Sequence, residues 1–258
     1  MAGPGRTRPI SGNPDAHRRL AGLAAAAALA VLVWTGCAGA RRPAGPVAGA
    51  AEVPPWEVPA AAYPSQRLFR LHYDGPEGEG ALRLVLRLAS PERYRLTIAD
   101  RLGRPLYTLD AGAGGGLLLD HRERLACPLD PDLRLPELPL ESLPLAALPA
   151  VLLGRVPAAP ARGERPDPGA PKISYRDAQG RRWSAEAGGP AGAPASWILW
   201  EAGEPVVWWR RGAGESLLSD RRRGVQMAWR ETGTEPLAEP LPPPAAPDGY
   251  RPAECGTI

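Results

Sequence analysis

From residue 65 onward apolar and polar positions alternate. In 81–89 ("ALRLVLRLA") Leu82, Leu84, Leu86 and Leu88 share one face while Arg83 and Arg87 take the other, the period of two that a half-buried antiparallel strand shows. "LFRLHY" (68–73), "YRLTIA" (94–99), "PLYTL" (105–109) and "GLLLD" (116–120) repeat the pattern between short turns. "KISYRDAQGRRWSAE" reads as a hairpin with its tip at 177–180, "SWILWEAGEPVVWWRR" as another turning at 201–204, and "GVQMAWRE" (224–231) as a last strand. This pattern predicts about eight to ten strands in sequential meanders. One stretch departs from it: in 135–157, Leu148, Leu152 and Leu153 stand at helical spacing before Gly154, a C-cap residue, while Pro144 and Pro149 forbid one long helix. One or two short helices lying across the sheet are expected there. "WILW" and "VVWW" are apolar on both faces, so one face packs a core and the other needs a cover. The protein's own helices or linker supply it, or a lipid or a partner does.

The ends of the chain read differently. Arg18 and Arg19 precede the apolar stretch 20–33, and "WTGCAGA" follows, the build of a secretory signal. The apolar run is short against the roughly 20 residues of a bilayer-spanning helix. Cys37 after Thr35 and Gly36 resembles the lipobox of bacterial lipoproteins, although Trp34 stands where leucine is usual. That resemblance implies cleavage before Cys37 and its acylation, and Ala38 rather than Asp after it implies the outer membrane. The competing reading is an uncleaved anchor flanked by Arg41 and Arg42. Residues 1–36 are thus assigned to the signal peptide, 37–64 to the lipidated cysteine and an Ala/Pro/Gly tether, 65–235 to the β domain and 236–258 to a Pro-rich tail. The segment 157–171 is read as a loop.

Charge and composition then narrow the function. The 31 basic and 28 acidic residues lose four arginines and one aspartate with the signal, so the mature chain is electrically balanced and nothing in it points to nucleic acid. Cys127 and Cys255 remain as a candidate disulfide pair in an oxidising compartment. No C-x-x-C occurs and only His72 and His121 remain, so no metal is expected. Neither histidine neighbours a nucleophile motif, and "GAGGG" (112–116) joins two strands without a following lysine, which is the wrong context for a phosphate loop. No enzyme and no cofactor are expected. Of the eight tryptophans, Trp197, Trp200, Trp208, Trp209 and Trp229 crowd the last third, and tryptophan suits surfaces apolar on one side and wet on the other. A curved sheet closed by a helix would hold a cavity suited to acyl chains.

"TIADRLGRPLYTL" (97–109) carries the sharpest anomaly. Asp100, Gly103 and Pro105 belong in a turn, yet Leu102 stands among them between Arg101 and Arg104. The longer segment "RYRLTIADRLGRPLYTLDAGAGGGLLLD" (93–120), with "PLESLPLAALPAVLLG" (139–154) and "ISYRDAQGRRWSAE" (173–186), resembles the LolA/LolB family over residues 65–231. The resemblance implies an unclosed antiparallel β-barrel (a half-barrel) with short helices covering an apolar cavity. It implies a monomeric outer-membrane lipoprotein, facing the periplasm, that receives lipoproteins or acyl chains from a LolA-like carrier and inserts them into the membrane. Cavity lining would then come from Leu84, Leu86, Leu96, Ile98, Leu148, Leu152, Trp197, Trp200, Trp208 and Trp209. Leu102 and Gly103 would form the membrane-inserting loop, with Arg101 and Arg104 at the headgroups. The other readings stay open: Leu102 as an ordinary hairpin tip, and the whole chain as a non-catalytic structural or scaffold lipoprotein docking through its Pro-rich tail.

Overall fold

The alternating leucines of 81–89 build the middle of a sheet. The computed structural model describes residues 53–254 except 77, 113–114, 129–142, 144–146 and 190–192. Strand β2 (Gly78–Ser90) pairs antiparallel with β1 (Ser65–Gly75) and β3 (Arg93–Ala99). The register sets Phe69 opposite Leu84, Leu84 opposite Ile98 and Leu86 opposite Leu96, so one face is continuous hydrocarbon. The meander runs on through β4 (Pro105–Gly112), β5 (Gly115–Asp120) and β6 (Leu125–Pro128). Helix α1 (Leu148–Leu152) follows, then a second meander of β7 (Lys172–Arg176), β8 (Arg182–Glu186), β9 (Ser196–Glu201), β10 (Glu204–Arg211), β11 (Ser216–Asp220) and β12 (Val225–Pro236). Strand β12 returns to β1, and β13 (Arg251–Pro252) adds parallel to β6. The order β13-β6-β5-β4-β3-β2-β1-β12-β11-β10-β9-β8-β7 leaves β13 and β7 as edges, so the half-barrel is unclosed.

Three strands exceed the number that alternation predicts. β6 is four residues ending in proline, β11 is five and β13 two; each is too short to show a period and owes its conformation to the strand beside it.

The inner face of the first meander is filled by Leu86, Leu96, Ile98, Tyr107, Leu109 and Leu118, and that of the second by Trp183, Trp197, Leu199 and Trp209, all fully buried. Each such aliphatic side chain contributes roughly 1.5–3 kcal/mol. Helix α1 rests on this face: Leu148, Val151 and Leu152 are buried, and Trp229 Nε1 donates to the Leu152 carbonyl (3.3 Å). Gly154, at φ +69°, ends the helix, and its lack of a side chain admits the Arg211 guanidinium and the Trp209 ring. The end of the segment assigned to the tether also joins the core. Trp56 meets Tyr175 edge-on (5.3 Å between centroids), and Val156 N donates to the Pro55 carbonyl (3.0 Å).

The C-terminal segment lies along the outer face of the first meander. Prolines lack N–H but keep their carbonyls, and Arg93 donates to that of Pro242. His121 bridges Thr108 Oγ1 (2.9 Å) and the Tyr250 hydroxyl (2.6 Å), while Arg251 N and Ala253 N donate to Arg124 and Ala126. Within the segment read as a Pro-rich tail, Pro242, Pro244, Tyr250, Arg251 and Ala253 therefore meet the protein's own sheet. Burial holds the His121 imidazole below its ordinary value against the raising charge of Asp120. A depressed histidine favours the neutral folded form, so its contribution is full above about 6.5 and fades as pH falls below that value. Hydrogen exchange at the Arg251 and Ala253 amides, corrected for intrinsic rates, should therefore quicken between pH 7.5 and 5.5 in the wild type and lose that dependence in His121→Gln.

Candidate functional site

The β3–β4 connection is a turn locked by one carboxylate. Asp100 accepts from Leu102 N (2.8 Å) and Arg104 N (3.0 Å) through one oxygen and from Arg104 Nε (2.7 Å) through the other. Asp100 N donates to Arg104 O and Gly103 N to Asp100 O (both 2.9 Å), with Gly103 at φ +86°, a conformation suited to glycine. Desolvation raises the Asp100 carboxyl, but the Arg104 side chain, the two amides and the Arg104 charge outweigh it and hold it below the ordinary carboxylate range. Leu102 rides on this scaffold at 68% exposure, the one large hydrophobic so exposed among the described residues.

The same turn occurs again at β7–β8. Asp177 accepts from Gln179 N (3.0 Å), Arg181 N (2.9 Å) and Arg181 Nε (2.8 Å), and Gly180 lies at φ +76°. "DRLGR" and "DAQGR" therefore specify one geometry, and its third position is leucine in one copy and exposed glutamine in the other. The turn does not need Leu102. The copies differ underneath: Asp177 also accepts from the buried Trp183 indole (2.8 Å) and is buried, whereas Asp100 is open to solvent on one side. The D-x-x-G-R repeat is visible in the sequence and marks Leu102 as the departure.

Two concavities flank the sheet. On the outer side a groove of about 920 Å³ has Leu102 and Leu106 on one wall, Trp208 on the other, and Ala81, Ala228 and Leu217 between. On the inner side, where the chain's 58–62 segment meets the end of α1, a cleft of about 510 Å³ is lined by Ala62, Phe69, Leu152, Leu153 and Trp229, with Arg67, Arg155, Arg211 and Glu231 at its rim. Desolvation lowers both guanidiniums; Arg211 further depresses Arg155, while Glu231 opposes the shift at Arg211. Arg67 pairs with Glu231 (3.2 Å).

The residues expected to line a cavity divide. Leu152 does line the inner cleft. Leu84, Leu86, Leu96, Ile98, Leu148, Trp197 and Trp209 lie on the inner face but are buried among their neighbours. Trp197 stacks on Trp209 (6.0 Å) and meets Trp183 edge-on (5.7 Å), so these indoles fill the space they were expected to line. Trp200 and Trp208 alternate onto the outer face, under Arg182 and Arg210 respectively; their placement inside the cavity is corrected by the register that points Trp197, Leu199 and Trp209 inward. Phe69, Leu153 and Trp229 are not among the residues expected to line a cavity, because each reads as ordinary strand or helix core. Arg104 is tied to Asp100, leaving Arg101 without an ion pair among the described residues. Cys127 is disulfide-bonded; Cys37 and Cys255 lie outside the described residues. No group of three His, Cys, Asp or Glu side chains suited to a metal occurs among the described residues, and none of their helices is long and apolar enough to cross a membrane.

No protein-family model matches the chain, and no curated protein matches it. Solved structures similar to it include the following three. A LolA superfamily protein from Nitrosomonas europaea has a TM-score of 0.46 at 9% identity, over 68% of this chain and 87% of that one. An outer membrane lipoprotein-sorting protein domain from Vibrio parahaemolyticus reaches 0.45 at 6% identity, over 69% and 86%. A DUF1329 family protein from Desulfovibrio piger reaches 0.44 at 8%, over 69% and 87%. At these scores the likeness carries no inference about function.

The twin turns make a paired test. Asp177→Ala strands the buried Trp183 N–H and should cost about 1–3 kcal/mol in thermal or denaturant unfolding. Asp100→Ala should leave global unfolding nearly unchanged while amide exchange at Leu102 and Arg104 accelerates. In the wild type the same exchange, corrected for intrinsic rates, should accelerate as pH falls below about 3.9, because a depressed carboxylate stabilises above that value and loses its effect as it protonates.

Proposed function

We propose that this protein is a lipid-anchored outer-membrane protein, acylated at Cys37, that accepts acyl chains or lipoproteins from a LolA-like soluble carrier in its inner cleft and assists their insertion into the outer membrane. The observation that carries the reading is Leu102: an apolar side chain held in water by a turn that elsewhere does without it. Burying such a side chain is worth roughly 1.5–3 kcal/mol, a gain open to it only on contact with something apolar outside the fold. The inner cleft supports the reading, since about 510 Å³ falls within the range of small-ligand sites.

Leu102→Glu tests the finger. Thermal unfolding should stay within a degree or two of wild type, whereas Leu96→Ala, in the buried core, should lose about 2–5 kcal/mol. Transfer of an acylated cargo to vesicles should fall with Leu102→Glu despite its normal stability. A cooperative loss of stability, or normal transfer, would defeat the role given to Leu102. Trp229 lines the cleft, so a brominated fatty acid should quench its emission, and Trp229→Phe should remove that part of the quenching.

A further inference from the structure

Across β2, β1 and β12 three arginines stand directly opposite one another on the outer face: Arg70 faces Arg83 on one side and Arg230 on the other. Like charges placed so are unfavourable in a sheet. Several other arginines are matched: Arg67 with Glu231, Arg93 and Arg95 with Asp110, Arg104 with Asp100, Arg181 with Asp177 and Arg222 with Glu201. Arg70, Arg83 and Arg230 are exposed and form no ion pair among the described residues. Their same-face neighbours in the ladders are Leu68, His72, Ala81, Val85 and Ala228, none of them acidic. Of the carboxylates near that face, Asp74 and Glu79 lie beyond the groove floor at the strand ends, Asp100 is taken by Arg104, and Glu215 precedes β11 at the β12 end of the row; none forms an ion pair with Arg70, Arg83 or Arg230 among the described residues.

The row sits beside Leu102. The next row of the ladder, Ala81, His72, Ala228 and Leu217, is the groove floor, and an Arg83 Nη1 atom lies 3.7 Å from where a Cβ on Gly103 would be. The outer face thus joins a projecting leucine, an apolar floor and a cationic border. A soluble polyanion would use the arginines and leave the leucine in water; a bilayer surface uses both.

We propose that Arg83, Arg70 and Arg230 form a phosphate-binding row that seats the outer face on an anionic membrane surface while Leu102 enters the interface. This rests on the reading of Leu102 as a membrane finger and adds the orientation and the lipid charge. Guanidinium forks match phosphate oxygens, and each basic residue held at an anionic surface strengthens partitioning about fivefold.

The described elements form one sheet with its own core, so a chain beginning at Ala38 serves for the test. Flotation with vesicles of phosphatidylglycerol and phosphatidylethanolamine is compared with phosphatidylcholine alone, for wild type, the Arg70→Gln/Arg83→Gln/Arg230→Gln variant and Leu102→Glu, with unfolding temperature as the control for folding. The triple variant should keep its stability and lose about a hundredfold in partitioning to anionic vesicles, and wild type should lose most of its preference at high salt. Equal binding of wild type and triple variant, equal wild-type binding to both vesicle types, or loss only of inorganic polyphosphate binding would overturn the proposal. If Leu102→Glu binds anionic vesicles normally while the triple variant does not, the row stands and the finger falls; the reverse result removes the row and keeps the finger.

Discussion

Everything in this fold hangs on the ladder between β1 and β12. It pairs Ser65 with Pro236 at one end and Asp74 with Gln226 at the other, joining the first long strand in the sequence to the last. Without it the two meanders, β1–β6 and β7–β12, share no strand pairing among the described residues, and each would expose a long central edge of the kind that invites aggregation. Closing a loop of that length opposes folding by roughly 4.5 kcal/mol before any constant. The compensation is hydrocarbon: Leu71 sits opposite Trp229 and Leu82, and Phe69 opposite Leu84, all buried. The same two strands carry Phe69 and Trp229 into the inner cleft and Arg70 and Arg230 onto the outer face, so both concavities depend on this pairing being formed.

The first meander was legible because its period is clean. Leu82, Leu84, Leu86 and Leu88 alternate with polar or smaller neighbours, and nothing competes with that signal. The second meander was less so. "VVWW" is apolar at every position, and which tryptophan turns inward is decided by the irregular register between Pro205 and Val207, a tertiary feature with no local mark. Hence Trp208 reads as core and lies outside. β6, β11 and β13 fail for another reason, their strand geometry being imposed by partners. The C-terminal segment reads as an extended Pro-rich tail because its prolines cannot donate, yet their carbonyls accept, and Arg93 uses one of them. Leu102 was legible for the opposite reason: it violates turn chemistry, and local violations not needed by the fold are where function is found.

The tryptophan stack also explains where the cleft is. Trp183, Trp197 and Trp209 occupy the inner face of the second meander, with the indole N–H groups of Trp197 and Trp209 buried and unpartnered among the described residues. Each such group costs about 1–3 kcal/mol, which the ring contacts and the large buried area must exceed. Helix α1 ends over the Trp209 ring because Gly154 permits the approach. Filled indoles on one side and filled leucines on the other confine open space to the rim, between the 58–62 segment and Trp229.

A projecting leucine is useful only if it is already in place. A flexible loop would lose roughly 1–2 kcal/mol of backbone freedom per residue ordered on contact, enough over a five-residue turn to cancel the roughly 1.5–3 kcal/mol that burying one leucine offers. Asp100 removes that loss beforehand. Its two oxygens take three donors from Leu102 and Arg104, so the backbone is ordered before any surface is met. The arginine row is ordered likewise, being fixed to strands. The outer face can therefore engage a surface as a rigid body, and the free energy of transferring Leu102 is retained for binding instead of being spent on organising the loop.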